Sequence, residues 1–83
     1  MYKIAFDKDA EKEFLKLEKK AQKLIGSKIL DLRTGNFSND KRLKGKHEGK
    51  FRKRAGNYRI IYLKEENFLL ISVIRIAHRK EAY

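Results

Sequence analysis

The sequence predicts an α+β fold in a single domain, with the order β-α-α-β-β-β and an antiparallel sheet that carries an N-terminal helical hairpin on one face. Two patterns lead to this prediction. Between residues 8 and 33, apolar residues recur every three or four positions, which is the spacing of an amphipathic helix. At the start of the chain and again after residue 50, apolar and polar residues alternate as they do in strands. The 83 residues suit one domain, which we assign to residues 1–83.

The N-terminal half supplies the first strand and both helices. Residues 2–6 form the strand, and Asp7 or Asp9 can cap the helix that follows. The second helix is expected over residues 20–33, with a break between the two helices near residues 18–21. The apolar face of the first helix is made of residues spaced by four, three and four positions: Ala10, Phe14, Leu17 and Ala21.

The C-terminal half predicts three strands separated by turns, at residues 50–54, 58–63 and 68–77. Gly56 and Asn57 in the first turn both tolerate a positive φ. The last strand is apolar on both faces, which indicates a position inside the sheet.

The positive charge is concentrated in the C-terminal half. The chain has 22 Lys and Arg against 11 Asp and Glu, a net charge of +11. Residues 1–40 have a net charge of +2, whereas residues 41–83 have +9. Such segregation indicates a site for a polyanion, most simply a nucleic acid. The alternative is a charge that serves only solubility.

The composition also excludes several classes of function. Cysteine is absent, which excludes disulfides, zinc fingers and thiol chemistry. No apolar run approaches the roughly 20 residues that cross a bilayer, and the start of the chain does not resemble a signal peptide. We therefore expect a soluble, cytoplasmic protein. The sequence has no P-loop, dinucleotide-binding glycine motif, metal motif or Ser-His-Asp set, so we expect no cofactor and no metal.

The arginines of the predicted strands can share one face of the sheet. Side chains two positions apart project on the same side of a strand, so Arg52 and Arg54 point together, as do Arg75 and Arg79. Arg59 can join them through the hairpin, depending on the geometry of the turn. If the helices cover the other face, these guanidinium groups line a groove that binds phosphate.

The Arg, Lys, His, Tyr and Glu side chains of this sequence suit one reaction class, the metal-free cleavage of RNA. RNA carries its own nucleophile, the 2′-hydroxyl, so that cleavage needs positioning, charge stabilisation, an acid and a base, but no metal. DNA lacks this hydroxyl and would be bound but not cut in this way. Tyr83 adds an aromatic ring on which a nucleobase can stack.

Three segments form an ordered set of motifs: LKG at residues 43–45, FRKRAGNYRIIY at residues 51–62 and IAHRKEAY at residues 76–83. With the opening strand and helix, the set resembles the RelE/ParE toxin superfamily over essentially the whole chain. The resemblance implies a RelE-like, microbial-ribonuclease-like fold and the toxin half of a type II toxin–antitoxin pair. In the RelE branch it implies an mRNA interferase, an endoribonuclease that cuts mRNA in the ribosomal A site and thereby inhibits translation.

The resemblance assigns roles to five residues. Arg52 and Arg54 would act on the scissile phosphate, and Arg59 would bind phosphate and stabilise the transition state. Arg79 would stabilise the leaving group or a phosphate, and Tyr83 would stack on the nucleotide and orient it.

Further basic residues are expected to bind RNA or the ribosome: Lys41, Arg42, Lys44, Lys46, Lys50 and Arg75. The expected partners are a cognate, acidic antitoxin, the ribosome with its rRNA, and mRNA, with no role for a membrane.

The general base stays open. Some members of the superfamily have lysines at the positions of Arg52 and Arg54, whereas arginine keeps its proton in proteins. Because some relatives use a glutamate–histidine pair, Glu48 with His78 is our first choice. The other candidates are His47, Glu81 and Tyr83.

Two other functions also stay open. The ParE-like branch poisons DNA gyrase and usually lacks the arginine–tyrosine set, so the presence of Arg59, Arg79 and Tyr83 favours the ribonuclease. A non-enzymatic RNA-binding or ribosome-binding protein would bind with a steep salt dependence and would cut nothing.

Overall fold

A five-stranded sheet with two helices packed on one face makes up the computed structural model, which describes residues 1–78. The strands are β1 (Lys3–Phe6), β2 (Lys41–Arg42), β3 (Phe51–Ala55), β4 (Tyr58–Glu65) and β5 (Leu70–His78), and the helices are α1 (Lys8–Leu15) and α2 (Lys19–Arg33). The α+β fold with a helical hairpin on one face is confirmed.

The strands lie in the order β1-β5-β4-β3-β2. Strands β2 to β5 form the predicted antiparallel meander, whereas β1 pairs in parallel with β5. The helices carry the chain from β1 to the opposite edge of the sheet. The later strands then return towards β1, and β5 comes to lie beside it in the same direction. The first strand is confirmed at the predicted place, whereas its parallel pairing with β5 and the two-residue β2 were not predicted.

The helical hairpin breaks slightly earlier than the residue pattern predicts. Helix α1 ends at Leu15, and Glu18 has an extended backbone that precedes α2. The side-chain amide of Gln22 donates a hydrogen bond of 2.9 Å to the carbonyl oxygen of Phe14, which ties the start of α2 to the end of α1. Neither helix in residues 1–78 is long and apolar enough to span a membrane.

The core lies between the helices and the face of the sheet that they cover. Ala10 of α1 and Leu32 of α2 are fully buried, as are Ile60, Tyr62 and Ile71 of the sheet. Alternate side chains of β3, β4 and β5 point into this layer, and the residues between them point to the opposite face. On the opposite face Ile61 and Ala77 are also buried, whereas Arg54 is exposed and available for binding.

A β-bulge in β5 decides which of its residues point to which face. Ile61 of β4 lies opposite Arg75, but its neighbour Tyr62 lies opposite Val73, so Ile74 is an extra residue. In a regular strand, Val73 and Arg75 are two positions apart and would share a face, so Arg75 would point towards the helices. The bulge places Arg75 on the opposite face.

The β3–β4 hairpin has a two-residue loop, Gly56–Asn57. Gly56 has a φ of +60°, the positive value that such tight loops require and that a residue with a Cβ adopts at a cost. The short loop sets the register and places Arg54 directly opposite Arg59.

Candidate nucleic-acid interface

The face of the sheet away from the helices carries arginines on three neighbouring strands. Arg52 and Arg54 come from β3, Arg59 from β4 and Arg75 from β5. We call this surface the arginine face. Arg54 lies directly opposite Arg59, and Arg52 lies two positions along the same strand. The structure thus brings together the three arginines of the FRKRAGNYR motif, including Arg59, whose orientation the sequence left open.

Arg54 and Arg59 form a cross-strand pair of like charges. Directly opposite residues have Cβ atoms about 5 Å apart, and like charges at this spacing destabilise a sheet. Arg54 is exposed, whereas Arg59 is only 8% exposed. A bound anion would relieve the repulsion between the two guanidinium groups. It would contact the Arg54 guanidinium at the surface and the Arg59 guanidinium deeper in the protein.

Arg75 is held by helix α1. Its Nε donates a hydrogen bond of 2.8 Å to Oε2 of Glu13, and its Nη2 lies 2.8 Å from the same oxygen. Oε1 of Glu13 accepts a further hydrogen bond of 2.8 Å from the backbone N–H of Ile76. Because β1 ends at Phe6, this part of β5 has no strand on its side away from β4 within the described residues, and the Glu13 carboxylate binds the backbone there instead. Arg75 therefore anchors α1 to β5, and its role in RNA binding stays a prediction.

The structure does not bring Glu48 and His78 together. Glu48 is exposed in the loop before β3, beyond the row that joins Phe51 to Tyr62. His78 lies opposite Tyr58, four rows or about 13 Å further along the sheet. Its ring makes an edge contact with the Tyr58 ring at 5.5 Å, on the helix-covered face. The two residues thus lie at opposite ends of the sheet and do not form an acid–base pair in this structure.

The basic residues predicted to bind RNA lie at the β2 side of the sheet. Lys41 is exposed opposite Arg52 and extends the arginine face. The guanidinium of Arg42 lies 5.6 Å from the centre of the Phe51 ring, in a cation–π contact. Lys44 and Lys46 are exposed in the loop before β3, and Lys50 is half-buried. Arg79 and Tyr83 lie outside the described residues.

A family model described as "ParE toxin of type II toxin-antitoxin system, parDE" matches residues 4–83. The chain belongs to this family. The match confirms the resemblance to the RelE/ParE superfamily that the motifs indicated. No curated protein matches the chain.

Solved structures of toxins resemble this family member along its length. The isolated E. coli RelE toxin superposes with a TM-score of 0.79 at 20% identity, covering 94% of this chain and 84% of that one. The archaeal RelE–RelB complex from Pyrococcus horikoshii OT3 gives 0.80 at 22% identity, covering 98% of both chains. The YoeB/ParE toxin from Agrobacterium tumefaciens gives 0.79 at 16% identity, covering 92% and 96%. At these identities the likeness establishes the fold.

On the helix-covered face of the sheet, this member of the family has a buried polar network that the sequence did not reveal. Nζ of Lys53 lies 2.9 Å from Oδ1 of Asp40, and their side chains are 6% and 4% exposed. The Tyr62 hydroxyl donates a hydrogen bond to Oδ2 of the same carboxylate. Burial raises the pKa of the Tyr62 hydroxyl well above its ordinary value, and the hydrogen bond and the negative charge of Asp40 raise it further.

One feature of the sequence indicated this network, namely the position of Lys53 in the alternating pattern of β3. Lys53 lies between two arginines of β3 and therefore points to the helix-covered face, where a lysine needs a partner. That partner, Asp40, lies in the loop before β2. Lys53 thus binds this loop to the sheet, whereas Arg52 and Arg54 project from the opposite face.

Proposed function

We propose that this protein is a toxin of the ribosome-dependent endoribonuclease type, which cleaves mRNA in the ribosomal A site in the cytoplasm and so inhibits translation. The observation that carries the proposal is the register of β3 and β4. It joins Arg52, Arg54 and Arg59 on the face of the sheet away from α1 and α2. Guanidinium groups match phosphate oxygens in charge and geometry, so this cluster suits the phosphodiester of a bound strand.

The chemistry follows from the groups at hand. The 2′-oxygen of the RNA attacks the neighbouring phosphorus, and the bond from phosphorus to the 5′-oxygen of the next nucleotide breaks. The products are a 2′,3′-cyclic phosphate and a 5′-hydroxyl. A base accepts the proton of the 2′-hydroxyl, and an acid protonates the leaving oxygen. Arginine stays charged, so the arginine face stabilises the negative charge of the transition state and another group moves the protons.

The degree of burial of each arginine indicates its role in this reaction. Arg59 is almost fully buried, so its guanidinium would contact the reacting phosphate from below the surface at which Arg54 is exposed. Arg54 is exposed opposite it and can close on the same phosphate, while Arg52 and Lys41 continue the positive surface. The roles of Arg79 and Tyr83 in leaving-group stabilisation and base stacking rest on the superfamily resemblance.

The proposed partners are a cognate antitoxin, the ribosome and mRNA. Similar folds occur in toxin–antitoxin complexes, among them the intact E. coli RelBE complex. The net charge of +11 favours an acidic antitoxin, and it would also draw the protein to rRNA.

The test is toeprinting of an mRNA on translating ribosomes after addition of the purified protein. We expect cleavage at the codon in the A site, and we expect Arg54→Ala to slow it by about a hundredfold, the usual effect of losing one charge-stabilising group. The variant Arg79→Ala/Tyr83→Ala should be slower still. Lys23→Ala, which removes an exposed lysine from α2, is the matched control and should cut like the wild type. Uncut codons with wild-type protein would refute the proposal.

The runner-up is a ParE-like poison of DNA gyrase, which the description of the matching family model favours. A gyrase cleavage assay tests it directly, because a poison traps the enzyme on broken DNA whereas a ribonuclease leaves gyrase unaffected. If the protein neither cuts mRNA nor traps gyrase but binds RNA with a steep salt dependence, the non-enzymatic alternative holds.

A further inference from the structure

A polar groove runs along the edge of β3, next to the arginine face. Strand β2 pairs with only two residues of β3, Phe51 and Arg52, so within residues 1–78 no strand lies beside β3 beyond Arg52 on the side away from β4. Helix α2 and the loop of residues 36–40 border the resulting groove, which has a volume of about 630 Å³. We call it the α2–β3 groove. Its volume lies in the range of ligand-binding clefts.

The charge of this groove is positive. Five basic and two acidic residues line it. One of the acids is Asp40, whose carboxylate is buried and is already bound to Lys53 and Tyr62. Asp31 is the remaining carboxylate. Lys28 of α2 forms no ion pair with any residue in the range 1–78, so its ammonium group is available to a ligand.

The lining favours a nucleic-acid backbone over a protein segment. Within the described part of the chain, the groove is lined by Lys, Arg, Asp, Asn, Ser and Gly and by no apolar side chain. Protein interfaces depend on apolar and aromatic anchors buried at their centre, and this groove has no place for them. Cationic and amide side chains are what phosphate and ribose oxygens require.

The groove is continuous with the arginine face. Arg52 and Arg54 belong to both surfaces, because they stand on the last strand before the open edge. Lys41 also lines the groove and lies opposite Arg52. An RNA chain whose reacting phosphate lies at Arg54 and Arg59 can therefore pass over the edge of β3 towards Lys28.

We propose that the α2–β3 groove binds the sugar–phosphate backbone of the single-stranded RNA that flanks the nucleotide on the arginine face, with Lys28 on one of its phosphates. This inference rests on the proposed binding of RNA at the arginine face. Lys28 belongs to none of the three sequence motifs, so its proposed role in RNA binding rests only on its position in the α2–β3 groove.

The test compares two uncleavable probes, a three-nucleotide and a nine-nucleotide 2′-O-methyl RNA, by fluorescence anisotropy. We expect Lys28→Ala to weaken binding of the nine-mer by about tenfold, the scale of one charge-assisted hydrogen bond, and to leave the three-mer unchanged. The plot of log affinity against log salt for the nine-mer should become shallower by about 0.7, the change expected when one phosphate of a single strand is no longer neutralised. Lys28→Arg should restore nine-mer binding.

The matched control is Lys23→Ala, which removes the same charge from an exposed position on α2 outside the groove. It should leave both affinities close to wild type. The inference is overturned if Lys28→Ala leaves the nine-mer unchanged, weakens both probes equally, or has no more effect than Lys23→Ala. Because binding is measured without cleavage, a protein that binds the nine-mer through Lys28 but leaves mRNA uncut on ribosomes supports the groove and refutes the ribonuclease.

Discussion

Lys53 and Arg54 are adjacent in the same strand, and we predict that their substitutions have opposite consequences. Replacing Lys53 with methionine keeps most of the side chain's volume but removes the cation from its buried pair with Asp40. The carboxylate then remains 4% exposed with the Tyr62 hydroxyl as its hydrogen-bond donor and no positive charge beside it.

The magnitude follows from this burial. Removing one partner of a buried ion pair usually costs about 3–5 kcal/mol, because the remaining charge is left in a medium that solvates it poorly. The hydrogen bond from Tyr62 places the expected loss for Lys53→Met near the lower end, about 3 kcal/mol. At roughly 4–8 °C per kcal/mol for a domain of this size, the melting temperature should fall by at least about 12 °C. A chain of 83 residues has only about 4–12 kcal/mol to lose.

The assay is urea and thermal unfolding followed by circular dichroism, with a double-mutant cycle. Asp40→Asn removes the negative charge while its carbonyl oxygen can still accept from Tyr62, so Lys53→Met/Asp40→Asn should recover most of the loss. The reasoning is refuted if Lys53→Met costs less than about 1 kcal/mol, or if the double variant loses the sum of the two single losses.

Three further predictions follow from neighbouring features. Arg54→Gln removes a like-charge pair, so it should raise the free energy of unfolding by roughly 0.2–1 kcal/mol, while RNA titrations show weaker binding and a salt dependence shallower by about 0.7. Because the pKa of Tyr62 is raised in the fold, its contribution is present below about pH 10 and is lost as the pH rises above that value. In urea titrations between pH 8 and 11, Tyr62→Phe should therefore lose less stability per pH unit than the wild type, by up to about 1.4 kcal/mol. Gly56→Ala should lower the melting temperature through a cost of about 1–2 kcal/mol, because alanine is strained at a φ of +60° and its Cβ would lie 2.9 Å from Cδ2 of Leu24.

Each of these has an outcome that contradicts it. A destabilised Arg54→Gln would mean that Arg54 holds the sheet together. Equal loss of stability in wild type and Tyr62→Phe above pH 10 would show that this loss does not come from ionisation of Tyr62. For Gly56 the control is Gly26→Ala, which should stabilise by up to about 1 kcal/mol, because a Cβ there meets nothing within 4 Å and α2 gains a better helix former. Similar effects at both glycines would rule out a role for the turn geometry.

Much of the architecture could be predicted because it depends on local periodicity. The spacing of apolar residues predicted both helices, and the alternation after residue 50 predicted β3, β4 and β5 nearly in place. The same alternation separated Lys53 from Arg52 and Arg54. Even the position of the hairpin followed from Gly56 and Asn57, because few other residues accept the φ that a two-residue loop demands.

The partners of individual side chains could not be predicted, because they depend on contacts between distant parts of the chain. Glu13 lies 62 positions before Arg75, and no local pattern joins them. The bulge at Ile74 changes the parity of β5, yet no unusual residue marks it. The separation of Glu48 from His78 likewise follows only from the order and register of the strands.

The sequence by itself determined the two helices and four of the five strands, the position of the excess charge and the family, because periodicity, composition and motifs are properties of the chain read in order. The tertiary structure decided which charges act together. Register set Arg54 opposite Arg59, packing drew Arg75 to Glu13 and Lys53 to Asp40, and the shortness of β2 opened the groove that reaches Lys28. The physical reason is that a backbone pattern fixes the direction of a side chain within its own strand or helix, whereas its neighbours are set by how those elements pack.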